Sequence, residues 1–239
     1  CAVFNPLKAQ LVIQMNNRDH RKICVIDGKV GFVGGINLAD EYINAYEKYG
    51  HWKDTAVMLK GDAVWSLTVM FLQFWNFVYK AMPPSNYDDY WPVYKPEVQP
   101  FSDSPTDEEE GGATIHFNII NQARHYVYIH TPYLIIGYEM QRALETAAKA
   151  GVDVRITVPH VPDKKLVFMV TRANYEPLLK AGVKIYEYTP GFIHSKSFVS
   201  DDEIGLWGTT NMDYRSFYLH FECGVCFFRS SVVQDVRAD

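Results

Sequence analysis

One pattern occurs twice in this chain, and it constrains the fold more than any other feature. His20 is followed by Lys22, Asp27, Gly34, Gly35 and Asn37, and His194 by Lys196, Asp201, Gly208, Thr209 and Asn211. The offsets from the histidine are 2, 7, 14, 15 and 17 in both copies. Lys, Asp, Gly and Asn at four set offsets arise by chance roughly 10⁻⁵ times per histidine, so two matches indicate a duplicated unit. The likeness extends beyond the motif. A carboxylate opens an apolar strand in each copy, Asp54 before TAVML and Glu222 before CGVCFF, and each strand leads into a helix.

The region around the second copy reads as strand, helix, glycine, strand. An apolar strand at 126–129 precedes a helix at about 138–150 closed by Gly151, then the strand VDVRITV. A second helix runs to about Ala181, is closed by Gly182 and gives way to VKIYEY. This alternation predicts parallel strand pairing with helices over the sheet. The fold class is therefore α/β, two related halves of mixed sheet flanked by helices. FSDSPTDEEEGG, after the Pro-rich YWPVYKP, has the composition of a solvated connection. The expected division is a first half at 1–100, an acidic flexible linker at 101–112 and a second half at 113–239. Residues 115–193 precede the second motif histidine but only 1–19 precede the first, so the first half is expected to lack roughly 60 residues upstream of Cys1. The helix after CGVCFF is expected to be cut short, leaving both ends frayed or compensating for each other.

Chemistry follows from the spacing. His and Lys two apart on a strand point to one face, as groups converging on one substrate must. Asp27 and Asp201 stand five residues beyond their lysines, on the other face, and read as structural partners for turn amides. If both halves share a pocket, it holds two imidazoles, two ammoniums and two amides. That set suits a phosphodiester: Lys22, Lys196, Asn37 and Asn211 neutralise and bind the non-bridging oxygens. One imidazole attacks phosphorus and the other, entering protonated, donates to the departing alkoxide. Asp54 and Glu222 are candidates to orient the imidazoles through the second ring nitrogen. This scheme needs no metal and no cofactor, and none is expected. His130 either lines the pocket or is a satisfied structural histidine. His51, His116, His125, His160 and His220 have no mirrored partner and read as structural or surface residues.

Composition limits the partners. With 23 Lys+Arg against 28 Asp+Glu the net charge is −5, which disfavours a phosphate-tracking surface, so no nucleic acid partner is expected. Cys1, Cys24, Cys223 and Cys226 do not form a disulfide framework; Cys223 and Cys226 are expected on opposite faces of one strand as buried small hydrophobes. Residues 63–79 are near the minimum length for a membrane span and are interrupted by polar groups. Asp62, Ser66, Gln73, Asn76 and Lys80 fall along one line of a helical projection, which predicts an amphipathic helix packed on the protein's own core, with bilayer contact as the alternative.

These residues resemble the two-motif phospholipase D superfamily over nearly the whole chain. DHRKICVIDGKVGFVGGINLADEY, HTPYLIIGYEMQRALETAAKAGVDVRI and GTTNMDYRSFYLHFE are similar to bacterial cardiolipin synthases, membrane enzymes that join two phosphatidylglycerols and release glycerol. The resemblance implies a phosphatidyl-histidine intermediate and ping-pong chemistry, with His20 as nucleophile and His194 as general acid and then base. It implies headgroup contacts from Tyr133, Tyr214 and Arg215, with Arg215 serving equally well as a structural ion-pair partner. Its implied partners are phosphatidylglycerol, a membrane lipid surface and upstream membrane helices; its implied location is the cytoplasmic side of the cell membrane, this fragment being soluble or peripheral. Gly35 departs from the small polar residue usual at that place. Related alternatives are a phospholipase D hydrolase, a phosphatidylserine synthase or a nuclease of the same superfamily. A catalytically silent phosphate-binding module is the alternative from another class.

Overall fold

The computed structural model describes residues 1–6, 13–80, 97–106 and 108–238. The Pro-rich stretch 90–96 and Asp107 lie outside them. In chain order, β1 (Ile23–Ile26), β2 (Val30–Gly34), β3 (His51–Lys53) and β4 (Ala56–Lys60) lead into α1 (Val64–Tyr79). Then come β5 (Val98–Asp103), α2 (Gly111–Gln122), β6 (Tyr126–His130), β7 (Leu134–Ile135) and α3 (Tyr138–Lys149). They are followed by β8 (Asp153–Pro159), α4 (Lys165–Ala173), α5 (Tyr175–Ala181), β9 (Lys184–Tyr188) and β10 (Gly191–Ile193). The chain closes with β11 (Ser197–Ser200), β12 (Ile204–Gly208), β13 (Met212–Asp213), α6 (Tyr214–Tyr218), β14 (Glu222–Phe228) and α7 (Ser231–Ala238).

The duplication is visible in the elements. β1 and β2 recur as β11 and β12 at one constant spacing, the one that separates His20 from His194. Both connecting turns carry an aspartate in the left-handed region, Asp27 at φ 53° and Asp201 at φ 54°. The first half forms a sheet of order β1-β2-β4, and the second a seven-stranded mixed sheet of order β5-β14-β12-β11-β6-β8-β9. The β6-β8-β9 pairings are parallel, as the strand and helix alternation predicts. Gly151 and Gly182 take positive φ where helices α3 and α5 end.

Two apolar cores hold the layers. One lies under α2, α3 and α5, where Ile120, Val127, Leu144, Ile156 and Leu178 are buried. The other joins the halves: Val33, Leu59, Val64, Leu67 and Met70 of the first pack with Val199, Trp207, Val225 and Phe227 of the second. Cys223 belongs to the latter core and Cys226 to the former, so the two thiols occupy opposite faces of β14, free and buried.

Three expectations need correction. Residues 101–103 are not linker but the end of β5, paired to β14. Gly224 makes this possible, since a Cβ there would stand 2.7 Å from the Phe101 ring. The helix expected to run unbroken to Ala181 is divided into α4 and α5 at Asn174. Pro177, third in α5, has no N–H to bond the carbonyl of Ala173, so the helix restarts there. In α1, Ser66 is buried beside Val64, Leu67 and Met70, while Phe71, Trp75, Phe77 and Tyr79 are exposed. The first two turns lie on the sheet, where Gly31 admits Leu67 at a distance a side chain would block; Asp62, Gln73 and Lys80 of the polar line are exposed, but Ser66 is buried and exposed aromatic rings share the outer face. Among the described residues, no helix is long and apolar enough to cross a membrane.

Asp201 fastens the second half's turn to the start of β6. Its carboxylate accepts from the backbone N–H of Arg124 at 2.7 Å, His125 at 3.0 Å and Tyr126 at 2.8 Å. Burial tends to raise its pKa, but these amides outweigh it and hold the carboxyl below its ordinary value. Its stabilising effect is thus present above the unfolded-state pKa and is lost as pH falls through the folded one. Asp201→Ala is expected to lower unfolding free energy by about 2–3 kcal/mol at pH 7, measured by urea denaturation, with a smaller difference in acid.

Candidate active site

The two halves meet by exchanging backbone and side-chain partners at the same places. β10 pairs in parallel with β3, and the N–H of His194 donates to the carbonyl of Lys53 at 2.7 Å. Symmetrically, the N–H of His20 donates to the carbonyl of Phe221 at 3.0 Å. Lys53 and Phe221 each precede the carboxylate of their own half. Each histidine is thereby delivered to the carboxylate of the other half. His194 Nδ1 lies 2.6 Å from Asp54 Oδ2, and His20 Nδ1 lies 2.9 Å and 3.0 Å from the two oxygens of Glu222. An Nδ1–H bonded to carboxylate leaves Nε2 as the free ring nitrogen on both imidazoles.

Both rings line one cleft of about 760 Å³, together with Asn37, Asn211, Tyr133, Tyr214 and Arg215. Asp54 and Glu222 stand behind the imidazoles, 2% and 0% exposed. Lys22 Nζ donates to the carbonyl of His20 at 2.5 Å, and Lys196 Nζ to the carbonyl of His194. Each lysine thus sits beside the histidine two residues before it, just ahead of β1 and β11, and neither lysine is among the residues lining the cleft. His130 is not among the residues lining the cleft.

Sequence reasoning left Gly35 unexplained and missed several walls of the cleft. A Cβ at position 35 would lie 2.3 Å from Asp54 Oδ1. In the other half, the equivalent Thr209 donates its hydroxyl to Glu222 Oε2. The shorter aspartate instead has its Oδ1 held by the N–H of Thr55 at 2.9 Å, so Gly35 makes room for a different carboxylate arrangement. Trp52 and Phe192 stack with centroids 4.6 Å apart, and Trp52 lies 5.0 Å from the His194 ring. Tyr133 donates to Asp163 Oδ2 at 2.7 Å. His220, read as a structural or surface residue, lines the cleft and is a correction to that expectation. No repeat-based test could find Trp52 or His220, because these equivalent positions carry different residues. His51, His116 and His160 are engaged elsewhere, with Tyr188, Gly112 and Glu187.

Burial sets the charges. Desolvation pulls His194 down to about 3, helped by Lys196 and opposed by Asp54. His20 is lowered by burial and by both lysines against the pull of Glu222. Burial also lowers Lys22, and it brings Lys196 down to about 7. Burial alone would raise Glu222, but His20, His220 and Thr209 outweigh it and hold the carboxyl at about 2. The site thus disfavours protonation of both imidazoles, holds Glu222 ionised and leaves Lys196 poised to gain a proton. A bound anion reverses those penalties. Among the described residues, one trio of metal-type ligands, His20, His220 and Glu222, has ligand atoms within 4.8 Å of one another; His20 and Glu222 are already bonded to each other.

A family model described as "Cardiolipin synthase, PLD-like domain" matches residues 117–239. The chain belongs to this family, within the phospholipase D superfamily. It is 51% identical to an uncharacterized protein of Streptococcus mutans over 99% of this chain and 52% of that protein. It is 40% identical to the cardiolipin synthase of Alkalihalophilus pseudofirmus, over 99% of this chain and 48% of that enzyme, and 40% identical to the cardiolipin synthase of Staphylococcus aureus over 98% and 48%. The chain therefore spans about half the length of the curated relatives it matches. In fold it is similar to a phosphatidylserine synthase of Haemophilus influenzae, with a TM-score of 0.69, 16% identity, and coverage of 92% of this chain and 59% of the other.

Two outcomes follow from the buried cations. Inorganic phosphate binding should be accompanied by proton uptake at pH 7 and should tighten from pH 8 to 6, because the anion favours the charged forms of Lys196 and the imidazoles; calorimetry in buffers of differing ionisation heat reads both. Lys196→Met should raise unfolding free energy by about 1–2 kcal/mol while lowering phosphate affinity, since it removes a charge that folding keeps from water.

Proposed function

We propose that this chain forms the catalytic core of a cardiolipin synthase, which transfers a phosphatidyl group from one phosphatidylglycerol to another and releases glycerol. The observation that carries this reading is the crossed pairing of two histidines with two buried carboxylates in one cleft. The relatives named cardiolipin synthase support the choice of substrate.

In this reading His20 is the nucleophile; its side chain is 23% exposed against 8% for His194. Neutral His20 Nε2 attacks phosphorus. The bond from phosphorus to the glycerol oxygen breaks, and protonated His194 gives its Nε2 proton to that oxygen, so glycerol leaves and a phosphatidyl-histidine remains. The Glu222 carboxylate balances the positive ring through Nδ1–H. A hydroxyl of the second phosphatidylglycerol then loses its proton to His194, its oxygen attacks phosphorus, and the bond to His20 breaks. Lys22, Lys196, Asn37 and Asn211 hold the non-bridging oxygens as charge moves. Arrival of the anionic diester supplies the condition for His194 to enter protonated, because it offsets the burial and the Lys196 charge that otherwise keep the ring neutral. Tyr133, Tyr214 and Arg215 line the same cleft and would contact the headgroup.

No step in this scheme calls for a metal or cofactor, and nucleic acid is not a proposed substrate. The whole protein would act at the cytoplasmic face of the cell membrane, with upstream membrane helices as anchor. Asp27 and Asp201 are proposed as structural residues only.

Mass spectrometry of products formed from phosphatidylglycerol vesicles by the full-length protein tests the reading. Cardiolipin plus glycerol supports it; phosphatidic acid would mean water as acceptor, and cutting of single-stranded DNA without lipid turnover would mean a nuclease. His20→Ala should abolish turnover, and His194→Ala should reduce it roughly 10³-fold or more; a fully active His20→Ala protein would contradict the nucleophile assignment.

A further inference from the structure

The two halves of the cleft are not equivalent behind their histidines. Two residues before Asp54 stands Trp52, and two residues before Glu222 stands His220. Each lies beside the histidine that its half's carboxylate holds. The Trp52 and His194 ring centroids are 5.0 Å apart with planes at 44°, and those of His220 and His20 are 5.3 Å apart at 39°. Trp52 fills space. His220 also brings a nitrogen to the carboxylate, with its Nδ1 3.4 Å from Glu222 Oε1.

The carboxylates are secured differently in consequence. Asp54 is fixed on its Oδ1 side by a backbone amide one residue away, which no side-chain substitution would remove. Glu222 has one more rotatable bond and no exposure to water. Its Oε2 takes His20 and the Thr209 hydroxyl, while its Oε1 takes His20 and faces His220. The backbone at 220 is fixed by its N–H, which donates to the carbonyl of Arg215 at 3.1 Å just after α6, while the two buried ring nitrogens make no hydrogen bond among the described residues, so the ring meets Glu222 at ion-pair distance. Without that ring, the Oε1 side of a buried carboxylate would open toward the cleft, and both Glu222 and the face of His20 would lose a fixed neighbour.

We propose that His220 is a positioning residue for His20, sharing the Glu222 carboxylate with it and packing against its ring so that Nε2 stays aimed into the cleft. The proposal rests on the phosphatidyl-transfer reading given above and adds that the His20 half depends on a polar clamp where the His194 half uses an aromatic wall. The clamp acts most strongly when His20 carries phosphorus on Nε2, because the ring is then cationic and its Nδ1–H must stay on Glu222.

The test compares His220→Ala, His220→Asn, Trp52→Phe and His20→Ala in the full-length protein with phosphatidylglycerol. His220→Ala should lower kcat about 10- to 100-fold, with KM changed less than about threefold and the thermal midpoint kept. His220→Asn, whose side-chain amide can still donate toward Glu222, should recover at least half of that loss on a logarithmic scale. Phosphatidyl-histidine captured by base quench should accumulate more slowly in His220→Ala than in Trp52→Phe. Unchanged kcat in His220→Ala beside an inactive His20→Ala would overturn this inference and leave the transfer reading intact. A rise in KM alone would make His220 a substrate-binding group, and a loss that His220→Asn does not rescue would make its role one of packing; either result overturns the proposal. Turnover by His20→Ala would sink the transfer reading itself.

Discussion

The geometry of the candidate site depends on an exchange between the halves: each histidine is hydrogen bonded to the carboxylate that the other half supplies. Neither imidazole is held by a carboxylate of its own half, so this arrangement forms only when both halves are folded and joined. The exchange begins in the backbone, where the amides of His20 and His194 bond to the carbonyls of Phe221 and Lys53. It is reinforced by an apolar core to which both sheets contribute. Packing and site geometry are therefore coupled, because loosening that core would move carboxylate and imidazole apart by distances that matter to a hydrogen bond.

The same burial that orders the site makes it electrostatically tense. Two lysines are withdrawn from water next to two imidazoles, and in each case desolvation is the largest cause of the lowered proton affinity. A cleft in that condition favours whatever returns negative charge to it. A tetrahedral phosphodiester, with two non-bridging oxygens and a bond in need of both attack and protonation, meets this demand at several points at once.

Much of this was legible in the sequence because a repeated unit is its own control. The matched offsets singled out His20, Asn37, His194 and Asn211, which line one cleft, with Lys22 and Lys196 beside the histidines, and the odd spacing separated Asp27 and Asp201 from them; Asp201 does gather backbone amides. Which carboxylate serves which histidine was not legible, because the answer lies in the pairing of β3 with β10, between segments far apart in the chain. Repeat logic also hid the places where the halves differ. Gly35 looked like a defect until Asp54 was found in the space a side chain would need. His220 looked incidental because its equivalent is Trp52. The break between α4 and α5 was present in the sequence as Pro177, and β5 was concealed by its acidic and proline-rich neighbours.

A crystal structure of the protein soaked with vanadate tests the central claim most directly, since a single tetrahedral oxyanion can report on both rings at once. The arrangement described here predicts vanadium bonded to Nε2 of one imidazole, with the other imidazole's Nε2 hydrogen bonded to an anion oxygen and Lys22 and Lys196 on the remaining oxygens. Vanadate bound with only one of His20 and His194 in reach, or a histidine oriented by a carboxylate of its own half, would contradict it.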